Sequence, residues 1–236
     1  MNQTTLAFGF LEYVVFLFST TCHEAAHAAV AKWGGDTTAF EGGQVSLNPV
    51  PHIRREPFGM VVLPLMGIVM GFGLIGYASA PYNPVWSVNF PRRSALMSLA
   101  GPAANFGLAV IAGILMSVGL ATGFFAPGGF VSMAHIVDPA SEGLATGIAA
   151  ILSVFFSLNL LLGCFNLIPV PPLDGYGALS LFAGARGAAR LLAFRYKLQG
   201  FGVMIAMLLA SRVIDYIYSP LLLVGVRLIY LLHHFR

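Results

Sequence analysis

The sequence predicts an all-α polytopic membrane protein with about five transmembrane helices, a re-entrant segment over residues 58–77 and a small β-hairpin over residues 37–47. Hydrophobic residues make up 58% of the 236 residues and charged residues only 9%, whereas globular domains carry about 25% charged residues. Several apolar segments are long enough to cross a bilayer, for which about 20 residues suffice. The chain is therefore expected in the cell (inner) membrane as a multi-pass protein surrounded by lipid.

The spans are predicted from the apolar runs and from the residues that interrupt them. Gly34-Gly35 ends the first span, and Pro220 divides the last apolar stretch into two closing spans. The basic residues are scattered at the segment ends, so a net charge of +3 does not indicate a nucleic-acid partner. The predicted spans cover about 6–33, 94–120, 144–166 and a closing helical hairpin over about 199–235.

A polar stretch after the first span predicts the β-hairpin. Residues Thr37–Phe40 and Gln44–Leu47 form two short runs. Glu41-Gly42-Gly43 separates them, and a Gly-containing loop of this length is typical of a hairpin.

The segment Phe58–Tyr77 is apolar but contains five glycines and Pro64, so it is predicted either to span the membrane or to return to its starting side. If it re-enters, nine basic residues lie on one side of the membrane and the Thr122–Gly143 loop, which has none, lies on the other. If it spans, three of these nine basic residues lie on one side of the membrane and six on the other. The positive-inside rule favours re-entry. The N-terminus is then predicted outside, with the far end of the first span towards the cytoplasm.

The first span contains His23-Glu24-Ala25-Ala26-His27. On a helix the two histidines lie one turn apart on the same face, so both imidazoles are able to reach one Zn²⁺. Glu24 follows the first histidine directly and is placed to take a proton from an activated water. Such a pattern also occurs by chance in soluble helices. Ionisable groups within a span cost about 2.5 kcal/mol or more each, however, and this favours a metal site with one Zn²⁺ per chain.

A catalytic zinc site needs a third protein ligand, and Asp174 is the strongest candidate. It follows an apolar span in a proline-rich stretch, where a lone carboxylate is expensive. The alternative is that Asp174 caps a helix that begins near Gly175. The other candidates are His52, which is more typical of a loop or substrate contact, and His135, Asp215, His233 and His234.

Two asparagines near these groups have two possible roles each. Asn166 lies where Pro169 ends a helix, so it either caps freed backbone groups or holds a substrate beside the metal. Asn105 lies in the middle of a span rich in small residues, and an interhelical hydrogen bond is the alternative to a substrate contact.

Three motifs, in this order, resemble those of the site-2 protease family of intramembrane zinc metalloproteases, over about residues 10–180. The resemblance implies that His23, His27 and Asp174 bind zinc and that Glu24 is the catalytic base. It associates Asn166, and with it Pro169 and Pro171, with substrate binding, and the predicted hairpin with substrate presentation. The motifs are His23-Glu24-x-x-His27, Gly101-Pro102-x-x-Asn105 and Phe165-Asn166-Leu167-x-Pro169-x-Pro171-Pro172-Leu173-Asp174-Gly175.

The resemblance implies a single membrane-embedded protease domain over 1–236, with a catalytic core over about 6–180 and no room for the PDZ or CBS domain of many relatives. This matches the compact prokaryotic branch. The implied reaction is hydrolysis of peptide bonds within or near transmembrane segments of substrate proteins, as in regulated intramembrane proteolysis. An extended proline-rich edge, or the Gln44–Leu47 strand, is expected to receive the unwound substrate by strand addition.

Two other functions stay open from the sequence. A membrane metal transporter predicts discontinuous helices in two similar halves, and no such repeat is present. An inactive relative that only binds membrane substrates is the other alternative, and the intact set of ligands argues against it. The sequence does not indicate the oligomeric state.

Overall fold

The computed structural model describes residues 3–198 and 201–231. Within those ranges four helices are long and apolar enough to cross a membrane, whereas about five were expected. This confirms the polytopic, mostly helical fold. The four segments are Leu6–Trp33, Pro91–Thr122, Leu144–Asn166 and Arg212–Leu231.

The chain alternates long helices with short helical and irregular connections. A π-helical turn, Phe58–Val62, precedes α4, and a 3-10 turn, Leu179–Phe182, follows α8. Strands β1 (Phe125–Ser132) and β2 (His135–Pro139) pair in antiparallel fashion. The helices are α1 (Gln3–Trp33), α2 (Thr38–Glu41), α3 (Pro49–Arg55), α4 (Leu63–Met70), α5 (Pro84–Asn89), α6 (Pro91–Thr122), α7 (Leu144–Asn166), α8 (Asp174–Ala178), α9 (Ala185–Lys197) and α10 (Phe201–Leu231).

Helix α6 lies at the centre of the bundle, where it packs against both α1 and α7. Small residues on α6, such as Ala109 and Ala112, are buried and let the neighbouring helices approach closely. They form one apolar core together with Phe156 of α7 and with Val226 and Ile229 of α10. The functional residues of α1 therefore face a rigid, closely packed helix pair.

Residues 58–77 double back, as the re-entrant prediction requires. Helix α4 ends at Gly71, whose φ of 78° lies in the left-handed region that favours glycine. The chain then returns without regular secondary structure, and the Tyr77 N–H donates to the Gly59 carbonyl oxygen at 3.1 Å. The two ends of the segment are therefore adjacent, so it does not span.

The irregular return limb, residues 72–83, lies along α1. Gly76 packs against the Phe16 ring, because a Cβ at residue 76 would lie only 2.8 Å from Phe16 Cε1. At the other end, the Asn83 N–H donates to Asp36 Oδ2 at 2.7 Å. The limb thus contacts α1 at Phe16 and the chain just beyond α1 at Asp36, on either side of the predicted metal-binding turn.

The β-hairpin prediction for residues 37–47 is wrong. The segment forms helix α2 and turns, because Asp36 Oδ1 accepts from the Thr38 N–H at 3.0 Å and starts a helical turn instead of a strand. Gly43 (φ 74°) follows the turn, and Asn48 caps α3 by accepting from the Val50 N–H.

The hairpin instead occupies residues 125–139, which were predicted to be an irregular loop. Long-range side chains stabilise it. The Tyr230 hydroxyl of α10 accepts from the Gly128 N–H at 2.9 Å and donates to the Ile136 carbonyl oxygen. Ser153 Oγ of α7 accepts from the Ile136 N–H at 3.0 Å.

The predicted closing helical hairpin over about 199–235 is also wrong across the described residues. Helix α10 is continuous from Phe201 to Leu231 with Pro220 inside it. A proline removes one helical N–H donor, but transmembrane helices tolerate it where neighbouring groups satisfy the freed backbone. The ends of the predicted hairpin, and with them His233 and His234, lie outside the described residues.

We expect Gly59→Ala to destabilise the protein by about 1–3 kcal/mol, the usual effect of overpacking. A Cβ at this position would overlap the Tyr77 carbonyl oxygen and lie 2.8 Å from Tyr77 Cδ2. Thermal unfolding of the detergent-solubilised protein measures the effect. Gly107→Ala is the matched control, since a Cβ there meets nothing within 4 Å. Equal melting temperatures for the two variants would contradict the close return of the segment.

Candidate metal centre

Three of the predicted residues converge on one point. Helix α1 runs without interruption through His23 and His27 and brings their Nε2 atoms to 3.0 Å from each other. Asp174 is the first residue of α8, and its Oδ2 lies 3.0 Å from His23 Nε2 and 3.3 Å from His27 Nε2. The Asp174 side chain arrives from a segment 147 residues or more away in sequence, so tertiary packing assembles the triangle.

Each imidazole uses its Nδ1 for a hydrogen bond to the protein. His27 Nδ1 lies 2.7 Å from the Met97 carbonyl oxygen, which only accepts, so Nδ1 donates a ring proton. His23 Nδ1 lies 2.6 Å from Asn105 Oδ1 and donates to it in the same way. The Nε2 of each ring is therefore the nitrogen that faces the other ring and Asp174, and it is the nitrogen that would bind a cation.

The size of the triangle fits zinc. Ligand atoms that lie about 2.0–2.1 Å from a tetrahedral zinc are about 3.3 Å from one another. The three distances between His23, His27 and Asp174 are 3.0, 3.0 and 3.3 Å. Two nitrogens and one carboxylate oxygen are also a donor set that catalytic zinc sites use.

Glu24 lies beside this triangle and is only 5% exposed. The potential ligand atoms of His23, Glu24 and His27 all lie within 4.8 Å of one another. Glu24 Oε2 is buried and has no hydrogen-bond partner within residues 3–198 and 201–231. Its carboxylate is thus held close to the triangle, with one oxygen available to accept a proton.

Gly101 of α6 lies directly against the two histidines. A Cβ at this position would overlap both Nε2 atoms and lie 2.6 Å from His23 Cε1. Any side chain here would therefore occupy the space where the ligands meet. This role of Gly101 was not predicted from the sequence, although the glycine of the Gly101-Pro102-x-x-Asn105 motif was a signal that pointed to it.

Close packing also holds Asp174 in place. The residue after it, Gly175, packs against the end of α7, where a Cβ would lie 2.8 Å from the Ile168 carbonyl oxygen. Leu173, not Asp174, precedes the first turn of α8, and no side chain caps this helix. The alternative prediction of a capping role for Asp174 is therefore wrong.

The charge of Asp174 depends on its neighbours. Burial alone raises the pKa of this carboxyl, but the nearby imidazoles of His27 and His23 outweigh burial and hold the pKa well below its usual range. The carboxylate is therefore ionised and ready to bind a cation.

Two of the predicted substrate contacts lie at an accessible surface. Asn166 is half-buried, and its Nδ2 donates to the Leu162 carbonyl oxygen at 3.1 Å, so its Oδ1 is left to accept. Pro169 is exposed. A substrate contact stays a prediction for these two residues.

The other three predicted substrate contacts are buried, and the structure corrects their accessibility. Asn105 is 0% exposed, and His52 is 1% exposed with its Nε2 bonded to the Ser46 carbonyl oxygen. Pro171 is buried as well. Of the alternative third ligands, His135 pairs with Asp138 at 3.7 Å in the β-hairpin. The alternative prediction of an interhelical hydrogen bond for Asn105 is confirmed.

Comparison with known proteins agrees with this site. Residues 11–211 match the family model of peptidase family M50. The chain belongs to this family, the site-2 protease family. The resemblance noted from the three motifs is thereby confirmed, and zinc is the metal that the family implies.

Similar proteins carry zinc metalloprotease names. "Putative zinc metalloprotease YwhC" of Bacillus subtilis is 36% identical over 163 residues, which are 69% of this chain and 64% of the relative. "Putative zinc metalloprotease Rip2" of Mycolicibacterium smegmatis is 32% identical over 164 residues, or 70% of this chain and 54% of the relative. The match thus covers between about half and two thirds of these relatives. No solved structure matches the chain.

We expect Gly101→Ala to abolish stoichiometric zinc binding, because the added methyl group would overlap both Nε2 atoms. Elemental analysis of the purified protein measures zinc per chain. Gly107→Ala, six residues further along the same helix and in open space, should retain the zinc of the unmodified protein. Full zinc content in Gly101→Ala would mean that the metal binds elsewhere.

Proposed function

We propose that this protein is a zinc metalloendopeptidase that hydrolyses peptide bonds within or near transmembrane segments of substrate proteins. The observation that carries the proposal is the convergence of three acceptor atoms, from His23, His27 and Asp174, next to the buried carboxylate of Glu24. The two histidines and Glu24 lie within a helix that is long and apolar enough to cross a membrane. The transmembrane substrate and the bilayer are the partners that this location implies.

The residues of the site have different roles in the proposed hydrolysis. A zinc ion held by His23, His27 and Asp174 supplies the Lewis acidity that polarises a peptide carbonyl and activates water. Glu24 takes a proton from the water as its oxygen bonds to the carbonyl carbon. The same carboxylate then delivers the proton to the amide nitrogen as the carbon–nitrogen bond breaks, which gives a carboxylic acid and an amine.

The return limb supports binding of an unwound substrate. Its residues 73–83 form no regular secondary structure, and the N–H groups of residues 78–80 donate to no acceptor among the described residues. An extended peptide is able to pair with such a backbone by strand addition. The Gln44–Leu47 segment is not a strand, so the return limb is the better candidate. Asn166 Oδ1 and Pro169 provide a second accessible surface.

Charge supports an orientation with the N-terminus outside and the active site towards the cytoplasmic side of the inner membrane. Arg93 Nη1 donates to the Gly34 carbonyl oxygen at 3.1 Å, and Arg195 Nη1 donates to the Tyr82 hydroxyl at 3.2 Å. These contacts bring basic residues from several segments to the end of α1 that follows His27. The positive-inside rule assigns such an end to the cytoplasm.

The transporter alternative has less support. Transporters bind their substrates at helices that break near the binding site, whereas α1 is continuous through His23 and His27. The inactive-relative alternative is decided by the following two experiments.

We expect Glu24→Gln to abolish cleavage of a transmembrane substrate and to leave zinc bound, because the amide cannot take a proton while the three ligands are unchanged. The test compares substrate cleavage in membranes with zinc content of the purified variant. Glu12→Gln, on the same helix, is the control and should cleave normally. Retained cleavage by Glu24→Gln would refute the proposed role, and a loss of zinc would make Glu24 a ligand.

We expect Asp174→Asn to lower zinc affinity by at least tenfold, since a neutral amide oxygen is a much weaker ligand than a carboxylate. Competition with a chelator measures the dissociation constant. The control is Asp138→Asn, which removes an equivalent charge from the β-hairpin. Unchanged zinc affinity in Asp174→Asn would exclude this residue as the third ligand.

A further inference from the structure

Two asparagine side chains are completely buried between the spans next to the metal centre. Asn105 of α6 and Asn159 of α7 are both 0% exposed. Asn105 Nδ2 donates to Asn159 Oδ1 at 2.9 Å, and Asn105 Oδ1 accepts from His23 Nδ1 at 2.6 Å. The two amides therefore form a continuous hydrogen-bonded connection from α7 through α6 to His23 of α1.

The Phe155 backbone carbonyl, at the end of these hydrogen bonds that is farthest from His23, determines which group donates and which accepts in each of them. Asn159 Nδ2 lies 2.8 Å from the Phe155 carbonyl oxygen, which accepts but never donates. The NH₂ group of Asn159 must face it, and the second hydrogen of that group points to Ser19 Oγ at 2.9 Å. A serine hydroxyl both donates and accepts, so only the Phe155 carbonyl imposes a direction.

The orientation of each amide then follows from the one before. Because the NH₂ group of Asn159 donates to the Phe155 carbonyl, the Oδ1 of Asn159 faces Asn105. Asn105 must therefore donate to it through its own NH₂ group. This leaves Oδ1 of Asn105 facing His23 Nδ1, which therefore carries the ring proton. His23 Nε2 is thereby left with its lone pair directed at His27 and Asp174.

We propose that Asn105 and Asn159 are positioning residues that hold His23 in the tautomer whose Nε2 binds the metal. This inference rests on the proposed zinc site. Only His23 of the two histidines requires Asn159. His27 donates its Nδ1 proton to the Met97 backbone carbonyl, which can only accept. His23 faces an asparagine side chain, and without Asn159 that amide would be able to flip and present its NH₂ group. A flipped Asn105 would move the His23 proton to Nε2, the metal-binding nitrogen.

The decisive variants are at Asn159, because this residue does not touch a metal ligand. Asn159→Leu has a similar volume and removes the acceptor for Asn105, so Asn105 is free to flip. Asn159→Asp keeps an oxygen that only accepts, so it preserves the direction even though the bond to Phe155 is lost. We expect Asn159→Leu to weaken zinc binding by about 10–100-fold, the usual effect of losing an outer-shell partner, and Asn159→Asp to retain most of the affinity.

The zinc dissociation constant of the full-length protein in detergent is measured by competition with a chelator. Ser153→Ala is the matched control, because it also removes one buried hydrogen bond from α7, the bond from Ile136 N–H, and should not change zinc affinity. Asn159→Leu with the zinc affinity of the unmodified protein would overturn the inference. So would equal losses of affinity in Asn159→Leu and Asn159→Asp, since these would indicate a merely structural role.

A spectroscopic measurement tests the inference even if Asn159→Leu does not fold. In the unmodified protein labelled with ¹⁵N-histidine, NMR should show a proton on Nδ1 of His23, which faces Asn105 Oδ1. A His23 Nδ1 without a proton would overturn the inference. The outcomes also distinguish failure of the proposed positioning role of Asn105 and Asn159 from failure of the proposed zinc site. If the unmodified protein binds no zinc, the proposed zinc site fails, whereas normal zinc binding with unchanged affinity in Asn159→Leu refutes only the positioning role.

Discussion

The structure depends on three buried polar side chains that meet at one point between the helices. Burying polar groups in a membrane costs several kcal/mol unless they have partners, and here the Nε2 atoms of His23 and His27 and the Oδ2 of Asp174 lie within 3.3 Å of one another. The surrounding protein has to hold these three atoms together. Most of the polar interactions between α1, α6 and α7 have this effect.

Helix α6 provides both the space and the orientation for the metal-binding turn of α1. Its Met97 carbonyl and its Asn105 side chain each accept from the Nδ1 of one histidine. Between them, Gly101 leaves room for both Nε2 atoms. Three residues within nine positions of one helix thus set the hydrogen bonds of both imidazoles and the volume in front of them. Close packing of α6 against α1 and α7 makes this geometry rigid, because small side chains allow little relative movement of the helices.

The sequence was sufficient for the parts of the site that depend on local spacing or on charge. Helical periodicity places His23 and His27 on one face. The free-energy cost of an unpaired carboxylate in an apolar region indicates Asp174 as the third ligand. The distribution of basic residues predicted that residues 58–77 return. The role of Gly101 was not predictable in the same way, because it depends on which turn of α6 crosses α1. The glycine of the Gly101-Pro102-x-x-Asn105 motif indicates close packing, but it does not identify the helix or the turn that packs there.

Two of the errors in the fold have the same origin. Residues 37–47 have the length and the glycines of a hairpin, but the Asp36 carboxylate starts a helical turn there. Residues 125–139 contain Pro127, Gly128 and Gly129, which disfavour a strand, yet a hydroxyl from Tyr230 stabilises their pairing. In both cases side-chain hydrogen bonds stabilise the local structure that forms. The bond at Asp36 is local and detectable in principle, whereas the bond at Tyr230 spans about 100 residues and depends on the completed fold.

Access to the site imposes a last constraint. Under the proposed function, a transmembrane substrate helix keeps its carbonyl groups in hydrogen bonds, so it has to unwind before one of them reaches the turn that carries Glu24. Unwinding exposes backbone groups that need new partners, because a bilayer provides none. The return limb has backbone N–H groups without acceptors among the described residues, and it contacts Phe16 and Asp36 on either side of Glu24. The glycines that fold this segment back on itself therefore also bring the proposed pairing edge next to the helix that holds Glu24.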